Sequence, residues 1–417
     1  MRITLINQYY DPDLSPTARL ATSLAEHRAA MGDEVTVVTS AARYAGNGLA
    51  LQRRPSKRGA NPKVWRAPAP RRAAQSIFSR ALHYLSFYLG AGVRLARLPR
   101  QDVIICMTTP PYAVVLALLH RRLRGHAKLI LWTMDCYPEI LEAAGLIRRG
   151  GVLARFGRRI NRWVFRRLAH VVCLDEAMKQ LVQSSYVRNG SPAVTVIPNW
   201  EPYARYSRSV APPPWAGEER LGLRERFVVL YLGNAGYGHE FDTVLEAAEA
   251  LRDEPVCFLF VGGGSCYEAL RNASDRRKLD NVYLHPYVPD EELPSVLARA
   301  DLSLVTLSDA ALGLMSPSKF HSYLAMSVPV IYIGPPGSNV HWAVEQFGCG
   351  VALRHGQAEQ MVAFIRRARR DRPWLLEMKR KARRAFEAAY CDRRTLPQFD
   401  RLLERLSGDP QMGSDPE

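Results

Sequence analysis

The sequence has no GxGxxG loop, no CxxC pair, no apolar run long enough to cross a bilayer, and too few acidic residues to balance its basic ones. Each shortage excludes something. Without GxGxxG after the first strand, the usual fingerprint for NAD or FAD is missing. The seven cysteines, Cys106, Cys136, Cys173, Cys257, Cys266, Cys349 and Cys391, are scattered, and most sit in apolar runs such as VIICM and PVCFLF. They read as reduced core residues, which argues against a disulfide framework or a zinc site. The longest apolar run, YAVVLALL, stops at His120-Arg121-Arg122, far short of the roughly 20 residues that span a membrane. Met1 leads straight into strand-like RITLIN, so no signal peptide and a cytoplasmic location are expected.

The acid shortage leaves a net charge of +17, which suits nucleic acid, an anionic membrane surface or phosphorylated substrates. The bases are spread along the chain, with no recognition-helix, RNP-like or zinc-finger signature beside them, which argues against nucleic acid. The densest stretch, Arg71 to Arg100, mixes arginines with aromatic and aliphatic residues. It reads either as a helix able to lie on lipid headgroups or as a core-packed helix with a solvated basic face.

What is present is ordinary globular material: 47% hydrophobic and 23% charged residues over 417 positions, enough for two domains of roughly 200 residues. RITLINQYY reads as a buried strand, PTARLATSLAEHRAAM as a helix stopped by Gly32, and EVTVVTS as a second buried strand. Strand, helix and strand so close together make a βαβ unit and a parallel sheet. DVIICMTTPP, KLILWTMD, AHVVCLDEAMKQLV and AVTVIPNW continue it. After the interruption at Ala211-Pro212-Pro213-Pro214-Trp215, the pattern restarts with RFVVLYLGNAG, VCFLFVGGG, NVYLHPYV, DLSLVTL and VPVIYIG. The fold class is therefore α/β, with two Rossmann-like doubly wound domains. Trp374 to Leu406 reads as helix by periodicity, and the tail beyond lacks apolar residues.

In open parallel sheets, ligands bind beyond the carboxyl ends of strands. Four segments lie there. Tyr9 to Arg19 opens a helix, with Ser15 placed to cap and Pro16 near its first position. Asp135 follows KLILW, either as a helix cap or as a polar group facing a ligand. Gly233-Asn234-Ala235-Gly236-Tyr237-Gly238-His239 separates a strand from a helix; its glycines allow close approach to a phosphate but also make tight turns. Ser316-Pro317-Ser318-Lys319 sets a hydroxyl and an ammonium at a helix start. A lysine there opposes the helix dipole, so it asks for an anion.

Taken in order and spacing, VIPNW, YLGNAGYGHEFDTVLEAAEAL, FLFVGGG and PSKFHSYLAMSVPVIYIGPPGS, together with TPPYAVVLALLHRRLRG and VFRRLAHVVCLDEAMKQL, resemble family 4 of the retaining glycosyltransferases, closest to bacterial members that build exopolysaccharides or lipid-linked oligosaccharides. The resemblance implies a GT-B fold: two Rossmann-like domains facing across a cleft. Residues 1–205 would take the acceptor and 206–387 the nucleotide-sugar. A helix at about 388–406 would return to the first domain, and 407–417 would be disordered. It implies Asp135 and Lys319 as catalytic residues and a UDP-sugar as the favoured donor, with no divalent metal required. The donor would meet Gly233, Asn234, Gly236, Gly238, His239, Gly262, Gly263, Ser316, Ser318 and Ser322. The hydroxyl acceptor, a saccharide, a lipid-linked saccharide or a natural product, would meet Ser15, Arg19, Tyr137 and Glu139, and peripheral contact with an anionic membrane would fit. Three positions depart from the family pattern. Leu314 and Ser322 stand where many members have two glutamates, Leu14-Ser15-Pro16 replaces a glycine pair, and Gly236 to His239 carries no arginine. A nucleotide-sugar epimerase and a nucleotide-binding scaffold without turnover are the competing readings.

Overall fold

Two parallel sheets, each buried on both faces, organise the chain in the computed structural model, which describes residues 1–13, 15–42, 61–70, 77–207 and 212–408, apart from the side chains of Ile77, Phe78 and Arg80. Leu14, Arg71, Arg72, Ala211 and the tail from 409 onward, all named above, lie outside those residues. The chain groups into two compact units. The first holds Met1–Glu139, Arg148–Ile197 and Thr395–Glu417; the second holds Ile140–Ile147 and Pro198–Arg394.

In the first unit, strands β1 (Arg2–Ile6), β2 (Glu34–Ser40), β3 (Lys63–Ala67), β4 (Val103–Met107), β5 (Lys128–Trp132), β6 (His170–Cys173) and β7 (Ala193–Val196) alternate with helices α1 (Pro16–Ala30), α2 (Ile77–Arg97), α3 (Val114–Arg124), α5 (Val152–Phe165) and α6 (Glu176–Tyr186), while the short α4 (Glu139–Ala143) leads from Glu139 into the Ile140–Ile147 segment grouped with the second unit. The sheet order is β3-β2-β1-β4-β5-β6-β7, all parallel. The order reverses between β1 and β4. The central strands are near-continuous apolar runs because helices cover both their faces. β3 reads KVWRA and is largely exposed, as an edge strand guarded by basic residues tolerates; its weak apolar pattern leaves it unmarked in the sequence.

The second unit runs α7 (Tyr203–Tyr206), α8 (Ala216–Arg220), β8 (Phe227–Asn234), α9 (Asp242–Ala250), β9 (Val256–Gly263), α10 (Tyr267–Arg276), β10 (Val282–His285), α11 (Leu293–Arg299), β11 (Leu302–Thr306), α12 (Lys319–Ala325), β12 (Val330–Ile333), α13 (Asn339–Phe347), β13 (Gly350–Leu353), α14 (Ala358–Arg370) and α15 (Arg372–Ala385), with α16 (Asp392–Ser407) last in the chain. Its sheet order is β10-β9-β8-β11-β12-β13, reversing between β8 and β11. Alternate residues of β8 enter separate cores: Val228, Leu230 and Leu232 on one face, Phe227, Val229 and Tyr231 on the other. That alternation is the signature of a sheet sandwiched by helices.

The helix expected from Trp374 to Leu406 is broken. A π-helical turn at Phe386–Tyr390 ends in extended Cys391, which pairs with Glu201, and α16 starts afresh. In the first unit α16 packs on the α1 side. Phe399 meets the fully buried Trp132 of β5, ring centroids 4.7 Å apart, and Asp400 accepts hydrogen bonds from His27 Nε2 at 2.8 Å and Arg28 Nη1 at 2.8 Å. Among the described residues, no helix is long and apolar enough to cross a membrane.

Burial alone would raise the Asp400 pKa, but the His27 and Arg28 hydrogen bonds outweigh it and hold the group below its ordinary value of 3.8. A depressed carboxylate stabilises the fold above its unfolded pKa and loses that contribution as pH falls through the folded one. Asp400→Ala should therefore cost about 3 kcal/mol near neutral pH, and this difference should shrink in acid. Denaturant unfolding of both proteins across acidic and neutral pH measures it; a pH-independent difference would show that the ion pair does not anchor α16.

Candidate functional site

The residues expected on the donor side gather where the second sheet reverses. β8 pairs with β9 along its whole length but with β11 only at Val229 and Leu230. Beyond Leu230 the two strand ends part, and the freed Leu232 N–H is taken up by the Tyr323 hydroxyl of α12 at 2.7 Å. With Phe320 and Tyr323 both fully buried, α12 is pinned to β8, and its first residue, Lys319, reaches over the strand end.

Lys319 Nζ has three neighbours there. It donates to the Tyr231 hydroxyl at 2.5 Å and to the Asn234 carbonyl at 3.3 Å, and it stands 3.3 Å from His239 Nε2. It also lies 3.9 Å from the centroid of the Tyr231 ring, within range of a cation–π contact. Every one of these partners is neutral. Tyr231 spends its proton on the Asn234 carbonyl, 3.0 Å away. His239 Nδ1 sits 2.7 Å from the Thr306 carbonyl; a carbonyl only accepts, so Nδ1 carries the proton and Nε2 offers its lone pair to the lysine. Among the described residues, no carboxylate forms an ion pair with Lys319. Burial pushes the Lys319 pKa well down; burial, and then the nearby lysine, do the same to His239.

The backbone around this ammonium is glycine-rich because its neighbours approach closely. Gly262 has φ +151, and a Cβ there would fall 2.1 Å from the Gly233 carbonyl oxygen, so the paired strand ends admit no side chain at that point. A Cβ on Gly238 would meet Met315 Sδ at 2.6 Å, one on Gly236 the Asn234 side-chain nitrogen at 3.0 Å, and one on Gly263 the Tyr287 ring at 3.0 Å. The serines are more committed. Ser316 Oγ accepts from Asn339, and Ser322 Oγ donates back to the Lys319 carbonyl. Ser318 is the N-cap residue of α12 without a capping side-chain bond. Leu314 is buried, and neither it nor Ser322 can offer a carboxylate here. Tyr231, Thr306 and Tyr323 were not picked out from the sequence, because inside or beside apolar runs they read as core.

In the first unit, the reversal between β1 and β4 brings the loop opening α1 near the ends of β4 and β5. Thr108 Oγ1 accepts from both Met134 N and Asp135 N at 3.0 Å, fixing the backbone that carries Asp135. The Asp135 carboxylate is half-buried; it caps no helix, since α4 begins only at Glu139. Burial raises its pKa to about 6. Ser15 is buried and caps α1, its Oγ accepting from Ala18 N at 3.3 Å, and Arg19 lies half-buried one turn along. Glu139 accepts from the Tyr186 hydroxyl and from Arg158 Nε, and the Tyr137 carbonyl accepts from Asn161. These contacts give Ser15 and Glu139 structural duties, while among the described residues no hydrogen bond or ion pair engages the Asp135 carboxylate. Among the described residues, no group of three or more histidine, cysteine, aspartate and glutamate side chains is arranged to hold a metal ion.

A doubly wound α/β protein with an anion-ready crevice in its C-terminal unit is the class these features define. Residues 17–200 match the Glycosyl transferase 4-like domain and residues 218–385 match Glycosyl transferases group 1; the chain belongs to this glycosyltransferase family and is a GT-B glycosyltransferase. It is 27% identical over 380 residues to WcaI of Escherichia coli K12, named as a glycosyl transferase of colanic acid biosynthesis, covering 88% of this chain and 92% of that one. WbjE of Pseudomonas aeruginosa, named as a glycosyltransferase, is 24% identical over 285 residues, 67% of this chain and 70% of that one. Among solved structures, WaaG, a glycosyltransferase involved in lipopolysaccharide biosynthesis, superposes with TM-score 0.66 at 16% identity, over 97% of this chain and all of that one. Anabaena Alr3699/HepE in complex with UDP-glucose does so with TM-score 0.66 at 14% identity, over 98% and 100%. The family uses nucleotide-sugar donors. Neither an epimerase nor a scaffold is favoured.

The lysine's depressed pKa has a measurable consequence. An arriving diphosphate raises it again, so binding between the pKa of the free state and that of the bound state should take up a proton, and affinity should fall as pH rises across that interval. Calorimetry of UDP binding in buffers of different ionisation enthalpy should show this uptake for the wild type and its loss in Lys319→Met. Identical enthalpies in all buffers for the wild type would contradict it.

Proposed function

We propose that the enzyme transfers a hexosyl group, with retention of anomeric configuration, from a UDP-sugar in the C-terminal unit to a hydroxyl of a saccharide or lipid-linked saccharide at the inner face of a membrane. The observation that carries the donor half is an ammonium ringed by neutral acceptors. Three dipoles and a ring face orient Lys319 without neutralising it, and a diphosphate supplies the missing charge. UDP is favoured by the complexes named in the HepE structures, and the saccharide class by the names of WcaI and WaaG.

In the reaction the bond between the anomeric carbon and the diphosphate oxygen breaks and a bond from the acceptor oxygen forms on the same sugar face, through a centre with oxocarbenium character. Negative charge grows on the departing diphosphate, where Lys319 opposes it, so its interaction strengthens on the way to the transition state. The glycine-lined ends of β8 and β9 let backbone N–H groups come close to the same phosphates. Asp135 accepts a hydrogen bond from the acceptor hydroxyl and orients it, receiving its proton as the new bond forms. With Leu314 and Ser322 in place of carboxylates, the ribose is left to other groups.

Incubation with a panel of UDP-sugars and saccharide or lipid-linked acceptors, followed by mass spectrometry and anomeric NMR of the product, tests the transfer; product of inverted configuration, or donor conversion without an acceptor, would overturn it. Asp135 makes a sharper arm. A carboxyl group with pKa about 6 is ionised above that pH, so kcat/KM should rise with an acid limb centred there. Asp135→Asn should lower the rate by a factor on the order of 10² to 10⁴ and abolish the limb. Full activity in Asp135→Asn would remove this residue from the mechanism.

A further inference from the structure

Helix α5 buries Ala154, Gly157, Asn161, Val164 and Phe165, and its outer side carries two parallel rows. Val152, Phe156 and Trp163, spaced four and seven apart, lie along one line and are 72%, 61% and 45% exposed, with Leu153 beside them at 68%. Arg155, Arg159, Arg162 and Arg166, spaced four, three and four apart, form the neighbouring line, all exposed. The helix contains no acidic residue, and Arg148-Arg149 precede it. The Arg167 guanidinium stacks over Trp163, 4.6 Å from the ring centroid. An apolar row flanked by arginines and topped by a tryptophan is matched to one environment: an interface with hydrocarbon below and anionic headgroups alongside.

The Arg71 to Arg100 stretch is a weaker fit. On α2 the exposed row Leu82, Leu85, Leu89 and Val93 has Arg80 in the first turn and Arg94 and Arg97 in the last, with no arginine or lysine between them. The two helices nonetheless lie on the same side of the sheet. The connections β3 to β4, β4 to β5 and β5 to β6 all step the same way across the sheet, and right-handed crossovers then set α2, α3 and α5 on a single face, opposite α1.

We propose that the first unit docks on an anionic bilayer through α5, with Val152, Phe156 and Trp163 entering the headgroup boundary and the arginine row paired with lipid phosphates. Docking deepens the reading of a membrane-bound acceptor and rests on that reading for its purpose, whereas the binding itself rests on the surface alone. A nucleic acid would pair with the arginines but leave the apolar row in water.

The test is flotation of the full chain, without substrate, on phosphatidylcholine vesicles with and without phosphatidylglycerol. Binding should need the anionic lipid and weaken as salt screens the charges. Phe156→Ser with Trp163→Ser should weaken it at least ten-fold, and each of Arg155→Gln and Arg159→Gln about five-fold, with circular dichroism and melting temperature unchanged. Transfer to a soluble acceptor should be unaffected by these changes, which separates this proposal from the transferase reading: lost flotation with intact transfer concerns docking alone. Undiminished flotation of the aromatic double variant, equal binding to neutral vesicles, or loss only with Leu85→Ser and Leu89→Ser would overturn it. So would tight binding of duplex RNA that the aromatic double variant retains, which would mark a polyanion site instead.

Discussion

One unneutralised cation organises the C-terminal unit. Lys319 is carried to the end of β8 because α12 is bolted there by Phe320 in the core and by the Tyr323 hydroxyl on the Leu232 N–H, and that N–H is free only because β8 and β11 separate past Leu230. The reversal of strand order thus creates both the crevice and the anchor that puts the ammonium in it. Holding an ammonium half-buried without a counter-charge is costly. Tyr231, Asn234 and His239 lower that cost with three acceptors while leaving the charge unspent. A carboxylate among them would stabilise the empty protein more and compete with the donor.

His239 shows how tightly this is arranged. Were it protonated, it would repel the lysine and lose its acceptor role. Its Nδ1–H is fixed on the Thr306 carbonyl and its burial disfavours a charge, so the imidazole stays a lone-pair donor toward Lys319. Thr306 ends β11 and His239 follows β8, so the two strands flanking the crevice set the lysine's surroundings together.

The sheets were legible in the sequence wherever strands are covered on both faces, because buried parallel strands must be apolar at every position. Two of the four described edge strands escaped, KVWRA at β3, whose polar residues hide it, and the four-residue GVAL at β13; β13 exists because Gly350 lets the chain close on Val330, where a Cβ would fall 1.9 Å from its carbonyl oxygen. Periodicity carried the terminal helix through Phe386 to Cys391, since a helical pattern does not reveal a break made by pairing with Glu201. In the site, Lys319 was legible because a cation at a helix start is unfavourable without an anion, and Asp135 because an acid after a buried strand stands out. Tyr231, Thr306 and Tyr323 were not, as a hydroxyl at the edge of an apolar run looks like core until its partner is known. Helix α5 was missed for a related reason: VLARFGRRINRWVF has the amphipathic pattern of any surface helix, and only the exposure of Val152, Phe156 and Trp163 reveals that its apolar residues do not all face inward.

The account stands or falls on whether Lys319 meets the diphosphate. Calorimetry of Lys319→Ala with UDP and with uridine asks this directly. A hydrogen bond to a charged group contributes about 1.5 to 3 kcal/mol, so UDP should bind roughly 10 to 150-fold more weakly while uridine affinity hardly changes. Equal losses for both ligands would assign Lys319 to the fold or the base pocket, and unchanged UDP affinity would remove it from the site.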